Sequence, residues 1–250
     1  MPIHSLALCL DAPMQSWGTR SRNNIRDTGR EPTKSGVVGL LAAALGIPRD
    51  DASSLLELAN LRMGVRVDRE GILERDYHVT QNVPTTTGSG HRTALSHRYY
   101  LADAIYLVVL EGQDSARLAQ IQDALRAPVW PLFLGRRAFP PARPLVTNGR
   151  HEEADTGLGL TDQSLEEALT THPWLENRTE VRAAELRNAG RTPLRTVVDC
   201  CPTDPAAELR MDVPLSFASH DRRYTARTVR TGTVSLTDEL ITIAKETSCT

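Results

Sequence analysis

Apolar and amphipathic stretches alternate over the first 134 residues in the order strand, helix, strand, strand, helix, strand, which predicts an α+β fold of the ferredoxin-like (RRM-like) βαββαβ kind. Two further observations extend that prediction. The segment 77–103, between the second and third strands, is too long for a simple turn and reads as an inserted, projecting β-hairpin; residues 191–250 regain strand character and read as a small C-terminal β appendage. The chain thus divides into an RRM-like domain at 1–145, an acidic connecting segment at 146–190 and the appendage at 191–250. With 250 residues, 40% of them hydrophobic, it can bury a full core.

Each element has its own signal. Residues 3–11 form an apolar strand, and Val37, Val38, Leu40, Leu41, Ala44 and Leu45 give 34–46 a helical stripe. LRMGVRVDR at 61–69 alternates as a strand should, and AIYLVVLE at 104–111 is apolar throughout, as a strand buried on both faces should be. In SARLAQIQDALR, 115–126, Leu118, Ile121 and Leu125 share one helical face, and 129–134 reads as the closing strand. Within 77–103 the flanks alternate while Pro84 to Gly90 is small, polar and flexible, so the hairpin has little core of its own. A short helix is predicted at 162–171 and strands at 195–199, 208–214 and 223–230.

Several function classes drop out. No apolar run approaches the ~20 residues of a membrane helix, and MPIHSLALCLD lacks the basic and apolar regions of a secretory leader, so a cytoplasmic chain is expected. Cys9, Cys200, Cys201 and Cys249 make neither a C-x-x-C nor a zinc spacing with histidine, so no metal site and no cofactor are expected. Lys34-Ser35 at a helix start invites comparison with a P-loop, but Thr28 and Thr33 stand where its glycines would be. No serine nucleophile elbow, H-E-x-x-H or paired glycosidase-like carboxylates are present.

Charge points to nucleic acid. The net −2 hides an excess of 18 Lys+Arg over 14 Asp+Glu in residues 1–150, against 3 and 9 in 151–190. Of the 29 basic residues 27 are arginine, which suits bidentate phosphate contacts, although a GC-rich genome would produce the same bias. The loop before the first helix concentrates Arg20, Arg22, Arg26 and Arg30, and the first-turn N–H groups of that helix lie beside Lys34, Ser35 and Gly36, where a phosphate could dock. Trp17 could stack on a base or close the core; Gly18 and Gly36 could admit a ligand or serve turns. Gly135-Arg136-Arg137 could grip phosphates or form an ordinary surface turn. His78 or another hairpin histidine acting with Lys34 would suit a metal-independent ribonuclease, but a mobile arm preorganises chemistry poorly.

The strings DAPMQSWG at 11–18 and PTKSGVVGLLAAALG at 32–46 resemble the CRISPR-associated CasD proteins, the Cas-five family of type I-E systems. LGRRAFPP at 134–141, DVPLSF at 212–217 and RRYTARTV at 222–229 resemble later signatures of the same family, in the same order. The resemblance implies a non-catalytic subunit of the Cascade surveillance complex that caps the 5′ handle of the CRISPR guide RNA. It further implies that the hairpin is a thumb and that the protein partners are a CasC-type backbone subunit and a CasA-type large subunit. Relatives in type I-C systems process repeat RNA themselves, which keeps a metal-independent endoribonuclease as the rival reading. Together with the residues named above, Ser16 in the first motif, His78, Arg92 and His97 on the hairpin, and Arg227 in the last motif complete the set expected to meet RNA.

Overall fold

A computed structural model describes residues 3–19, 24–86, 88–147 and 157–242. The chain runs β1 (His4–Asp11), β2 (Met14–Gln15), β3 (Ile25–Arg26), α1 (Lys34–Leu45), α2 (Ala52–Ala59), β4 (Arg62–Arg69), β5 (Ile72–Pro84) and β6 (His91–Ala102). It continues through β7 (Ile105–Gly112), α3 (Ser115–Arg126), β8 (Gly159–Thr161), α4 (Leu165–Thr171), α5 (Thr179–Arg187), β9 (Leu194–Asp199), β10 (Ala207–Ser216), β11 (Arg223–Val234) and α6 (Asp238–Thr242).

Seven strands make one antiparallel sheet in the order β10-β11-β9-β4-β7-β1-β8. The two most apolar strands, β1 and β7, lie near one end with both faces covered. Leu6, Leu8 and Leu10 of β1, with Tyr106 and Val108 of β7, pack under α1, α2 and α3. Ala7, Cys9, Ile105, Leu107 and Val109 face α4 on the other side. Burial of alternate residues on opposite faces explains why these strands read as continuous apolar runs. The α1 and α3 predictions hold, and α3 starts on Asp114, whose carboxylate accepts the Arg117 N–H at 3.1 Å.

Three expectations are corrected. Residues 129–134 form no strand, because their leading N–H groups go to the end of α1: Val129 donates to the Ala44 carbonyl at 3.0 Å and Trp130 to that of Ala43 at 3.2 Å. Apolar composition there serves helix capping, and β8 takes the edge position beside β1 instead. Nor is 146–190 only a connection, since within it α4 buries Leu165, Ala168 and Leu169 against the sheet. Finally, the C-terminal strands are no separate appendage, because β9 pairs with β4 from Gly64↔Val198 to Arg66↔Thr196 and extends the first sheet. The short helices α2 and α5 were not foreseen.

The hairpin β5–β6 runs from Ile72 to Ala102, longer than expected, and β5 is exposed along nearly all its length. Its base is held by β2 and β3, which both pair with β6. No helix among the described residues is long and apolar enough to cross a membrane.

A buried ion pair fastens the α4 segment to the sheet. Arg66, wholly buried in β4, donates to Asp68 through Nε at 2.7 Å and to the carbonyls of Leu169, His172 and Pro173. Asp68 in turn accepts the Leu175 N–H at 2.8 Å. Arg66→Met leaves the Asp68 carboxylate buried without its cation and frees three carbonyls, so it should cost about 3–5 kcal/mol in urea unfolding. A loss below about 1 kcal/mol would show that the pair does not hold this segment.

Candidate nucleic-acid interface

At the start of α1 the N–H groups of Lys34 and Gly36 are already taken. Thr33 caps the helix, its Oγ1 accepting the Gly36 N–H at 3.2 Å, while the Lys34 N–H donates to Asp212 Oδ2 at 2.8 Å. Asp212 comes from β10 and also accepts Arg227 Nε at 2.7 Å and Nη2 at 2.9 Å. Arg227 of β11 reaches Asp199 of β9 as well, and Lys34 Nζ donates to that same Asp199 at 2.8 Å. Two cations and two carboxylates thus close a compensated quartet. Burial works to raise the Asp212 carboxyl, but Arg227 and the Lys34 N–H hold it below its ordinary value of 3.8. Burial works to lower the Arg227 guanidinium, and the carboxylates of Asp212 and Asp199 raise it.

Lys34 and Arg227 are therefore corrected: their side chains are 8% and 10% exposed and point into protein, not toward an outside phosphate. The sequence showed the cations but gave no sign that Asp199 and Asp212, far along the chain, would fold against them. The proposed Lys34–His78 acid–base set is not assembled either, since Lys34 is sealed against Asp199 while His78 stands on the exposed hairpin beside Asp76 at 3.8 Å.

Trp17 is 1% exposed, so as it stands it is no open stacking platform. Its indole lies so close to α1 that a Cβ on Gly36 would come within 2.8 Å of the ring, which is why residue 36 has no side chain. The indole N–H has no hydrogen-bond partner among the described residues. Gly135 is needed twice over: its φ is +92°, and any Cβ would overlap the Ser16 carbonyl oxygen. The Ser16 N–H also donates to the Leu134 carbonyl at 3.1 Å, locking the first motif to the 134–141 turn.

These contacts frame an open groove of about 730 Å³. Its floor and one wall come from Ser16, Trp17 and Gly18 and from Ser35, Gly36 and Gly39 of α1. Gly135, Arg137, Trp130 and Phe133 also line it, with Phe217 and Arg222 from the connection between β10 and β11 and Tyr224 from β11. Arg49 adds a third guanidinium at the rim. The five sequence motifs, scattered from 11 to 229, meet here. Small residues on α1 let a flat ligand approach the helix, aromatics offer stacking surfaces, and the three arginines supply positive charge.

Other expected residues gather at the hairpin base. Arg26 of β3 pairs laterally with Arg98 of β6, and Arg136 donates to the Tyr99 carbonyl at 2.6 Å. His97 lies opposite Tyr77, ring centroids 5.4 Å apart, and Arg92 sits exposed toward the hairpin tip. Arg20 and Arg22 lie outside the described residues. Sequence reasoning missed Arg49, Trp130, Phe133, Phe217, Arg222 and Tyr224. The last three stand inside the quoted signatures, so the signal was present; Trp130 and Phe133 were hidden by reading their segment as a strand.

A family model described as "CRISPR-associated protein (Cas_Cas5)" matches residues 5–230. The Escherichia coli K12 protein "CRISPR system Cascade subunit CasD" is 38% identical over 154 residues, spanning 56% of this chain and 68% of that one. A solved structure titled "Crystal structure of Cas protein" is 35% identical with a TM-score of 0.66 over 94% of this chain and 99% of its own. A chain from "CRISPR RNA-guided surveillance complex" is 29% identical with a TM-score of 0.73, covering 97% of this chain and all of the other.

The quartet makes two outcomes expected. Lys34→Met should cost about 3–5 kcal/mol of stability, because Asp199 is left buried with one cation fewer. Since Asp212 has its carboxyl depressed in the fold, its contribution is complete above the ordinary 3.8 and is lost as pH falls below it. Urea unfolding of Asp212→Asn should therefore lose stability at neutral pH and show a flatter acid limb than wild type; an unchanged acid limb would remove Asp212 from this role.

Proposed function

The chain belongs to the CRISPR-associated Cas5 family, and we propose that it serves as the Cascade-type subunit that binds and caps the 5′ handle of the CRISPR guide RNA. The observation that carries this reading is the groove in which all five motif stretches converge, bordered by Arg49, Arg137 and Arg222 and by the aromatics Trp130, Phe133 and Tyr224. Single-stranded RNA with splayed bases fits such a lining: arginines neutralise phosphates, aromatic faces take bases, and ribose 2′-hydroxyls reach backbone groups. The protein needs no cofactor for this and performs no chemistry, because the only lysine near the motifs is committed to Asp199. A cytoplasmic location goes with the same reading.

Partners follow from the shape. The hairpin Ile72–Ala102 acts as the thumb, offering Ile72, Leu73, Tyr77, Val79 and Leu95 uncovered for a backbone subunit of the CasC type, with a CasA-type large subunit as the other neighbour. The order β8-β1-β7-β4, with α1 and α3 on one face, follows the ferredoxin-like sheet, β8 acting as its fourth strand. On this reading the RNA-binding unit is 1–145 completed by β8, and the C-terminal strands buttress α1.

The test is to incubate the protein with labelled repeat RNA in EDTA, alone and with the other Cascade subunits, following cleavage and complex formation together. Stable capture of handle-bearing RNA without cleavage is expected, and Trp130→Ala should weaken it by about 1–3 kcal/mol for the loss of one stacked base. Specific cutting by the protein alone would instead make it a processing endoribonuclease.

A further inference from the structure

Three guanidiniums crowd the base of the hairpin. The parallel pairing of β3 with β6 sets Arg26 directly beside Arg98, and the antiparallel pairing of β5 with β6 sets Asp76 on the other side of Arg98. Directly paired residues share a face, so Asp76, Arg98 and Arg26 form one row across three strands. Arg136 closes over this row from the 134–141 turn. Its Nη2 donates to the Tyr99 carbonyl at 2.6 Å and reaches the Arg26 carbonyl at 3.5 Å, and its guanidinium stacks on Phe139 at 5.4 Å.

Among the described residues, none of these three arginines has a carboxylate within ion-pairing distance. Arg98 spends its Nε on the Ser96 hydroxyl at 3.2 Å, and Asp76 lies nearer His78. Asp27, next to Arg26, turns to the Thr19 N–H at 3.3 Å. Partial burial first, then the like charges of Arg98 and Arg26, depress the Arg136 guanidinium below its ordinary value, with Asp76 opposing. The contrast with the quartet is plain: there every buried cation meets a carboxylate, whereas here three cations share one acid, Asp76, that none of them ion-pairs. A fold that holds like charges together with fixed backbone bonds leaves a place where an anion relieves the repulsion.

We propose that Arg26, Arg98 and Arg136 form a clamp for a phosphodiester of single-stranded RNA where the strand passes from the hairpin to the groove. The clamp rests on the RNA-binding reading above and adds to it Arg98, which no motif singled out, and a path for the chain. Gly135 and Arg137 line the groove while Arg136, between them, faces the hairpin base. A strand whose phosphate sits in the clamp is thereby led around a single turn into the groove, where its next base meets the aromatic lining.

The test measures binding of the full-length protein, alone and assembled with its partner subunits, to a fluorescent 5′-handle RNA over a range of salt concentrations. Arg98→Gln and Arg26→Gln should each weaken binding about tenfold, the loss typical of a charged hydrogen bond. Each should also flatten the slope of log K against log salt by about 0.7, the value for one phosphate contact on a single strand. Arg98→Lys should restore the slope with only part of the affinity, and Asp76→Asn should tighten binding, neither of which a purely structural role would produce. If Arg26→Gln and Arg98→Gln, both normally folded, leave affinity and slope unchanged while Trp130→Ala still weakens binding, the clamp is wrong and the groove reading stands. If wild-type protein captures no handle RNA in either setting, both fall.

Discussion

The Lys34–Asp199–Arg227–Asp212 quartet is the constraint on which the rest of the architecture turns. Four charged groups close to fully compensated hydrogen bonding tie the first turn of α1 to three strands that arrive more than 160 residues later in the chain. Burying such charges costs several kcal/mol of desolvation each, so the arrangement persists only where geometry lets every group find its partner. Asp212 answers both the positive end of the helix and the Arg227 fork, which leaves little freedom for α1 to slide or rotate against the sheet. The groove inherits that rigidity, because one of its walls is the same helix.

From this anchor the groove follows by interlocking rather than by surface decoration. The Trp17 indole presses on Gly36, and the Gly135 backbone presses on the Ser16 carbonyl, so the first, second and third motifs are each shaped by the absence of a side chain in a neighbour. The fourth and fifth motifs enter because β10 and β11 carry Asp212 and Arg227 inward while Phe217, Arg222 and Tyr224 line the groove. Buried charge and groove lining are thus two consequences of the same strands, which explains why basic residues only a few positions apart have opposite fates.

Legibility in the sequence tracked how local the physics was. β1, β7, α1 and α3 were readable because their apolar period is written within each segment, and β9, β10 and β11 were readable as alternating runs. The segment 129–134 misled because an apolar stretch shows that chain is covered without showing what its N–H groups bond, and here they cap α1. The acidic region misled in the other direction, its net charge masking the Leu165, Ala168 and Leu169 stripe on α4. For the site, the motif positions come together around one groove, while Lys34, Trp17 and Arg227 turn into protein because partners distant in sequence decide which way a side chain faces.

That distinction gives a physical criterion for sorting the arginines of this chain. A buried guanidinium whose donors are taken up inside the fold, Arg66 by Asp68 and three carbonyls, Arg182 by carbonyls alone and Arg227 by Asp199 and Asp212, is part of the scaffold, and a change there acts first on stability. One that is only half-buried and has no carboxylate partner among the described residues, such as Arg136 and Arg98, keeps its field directed outward and acts first on whatever anion approaches. Composition alone assigns all of them equally to nucleic acid. The placement of acids and the depth of burial do the sorting: Asp199 and Asp212 withdraw two motif cations from the surface, and the scarcity of carboxylates around Arg26, Arg98 and Arg136 leaves positive charge unanswered at the hairpin base as it is in the groove.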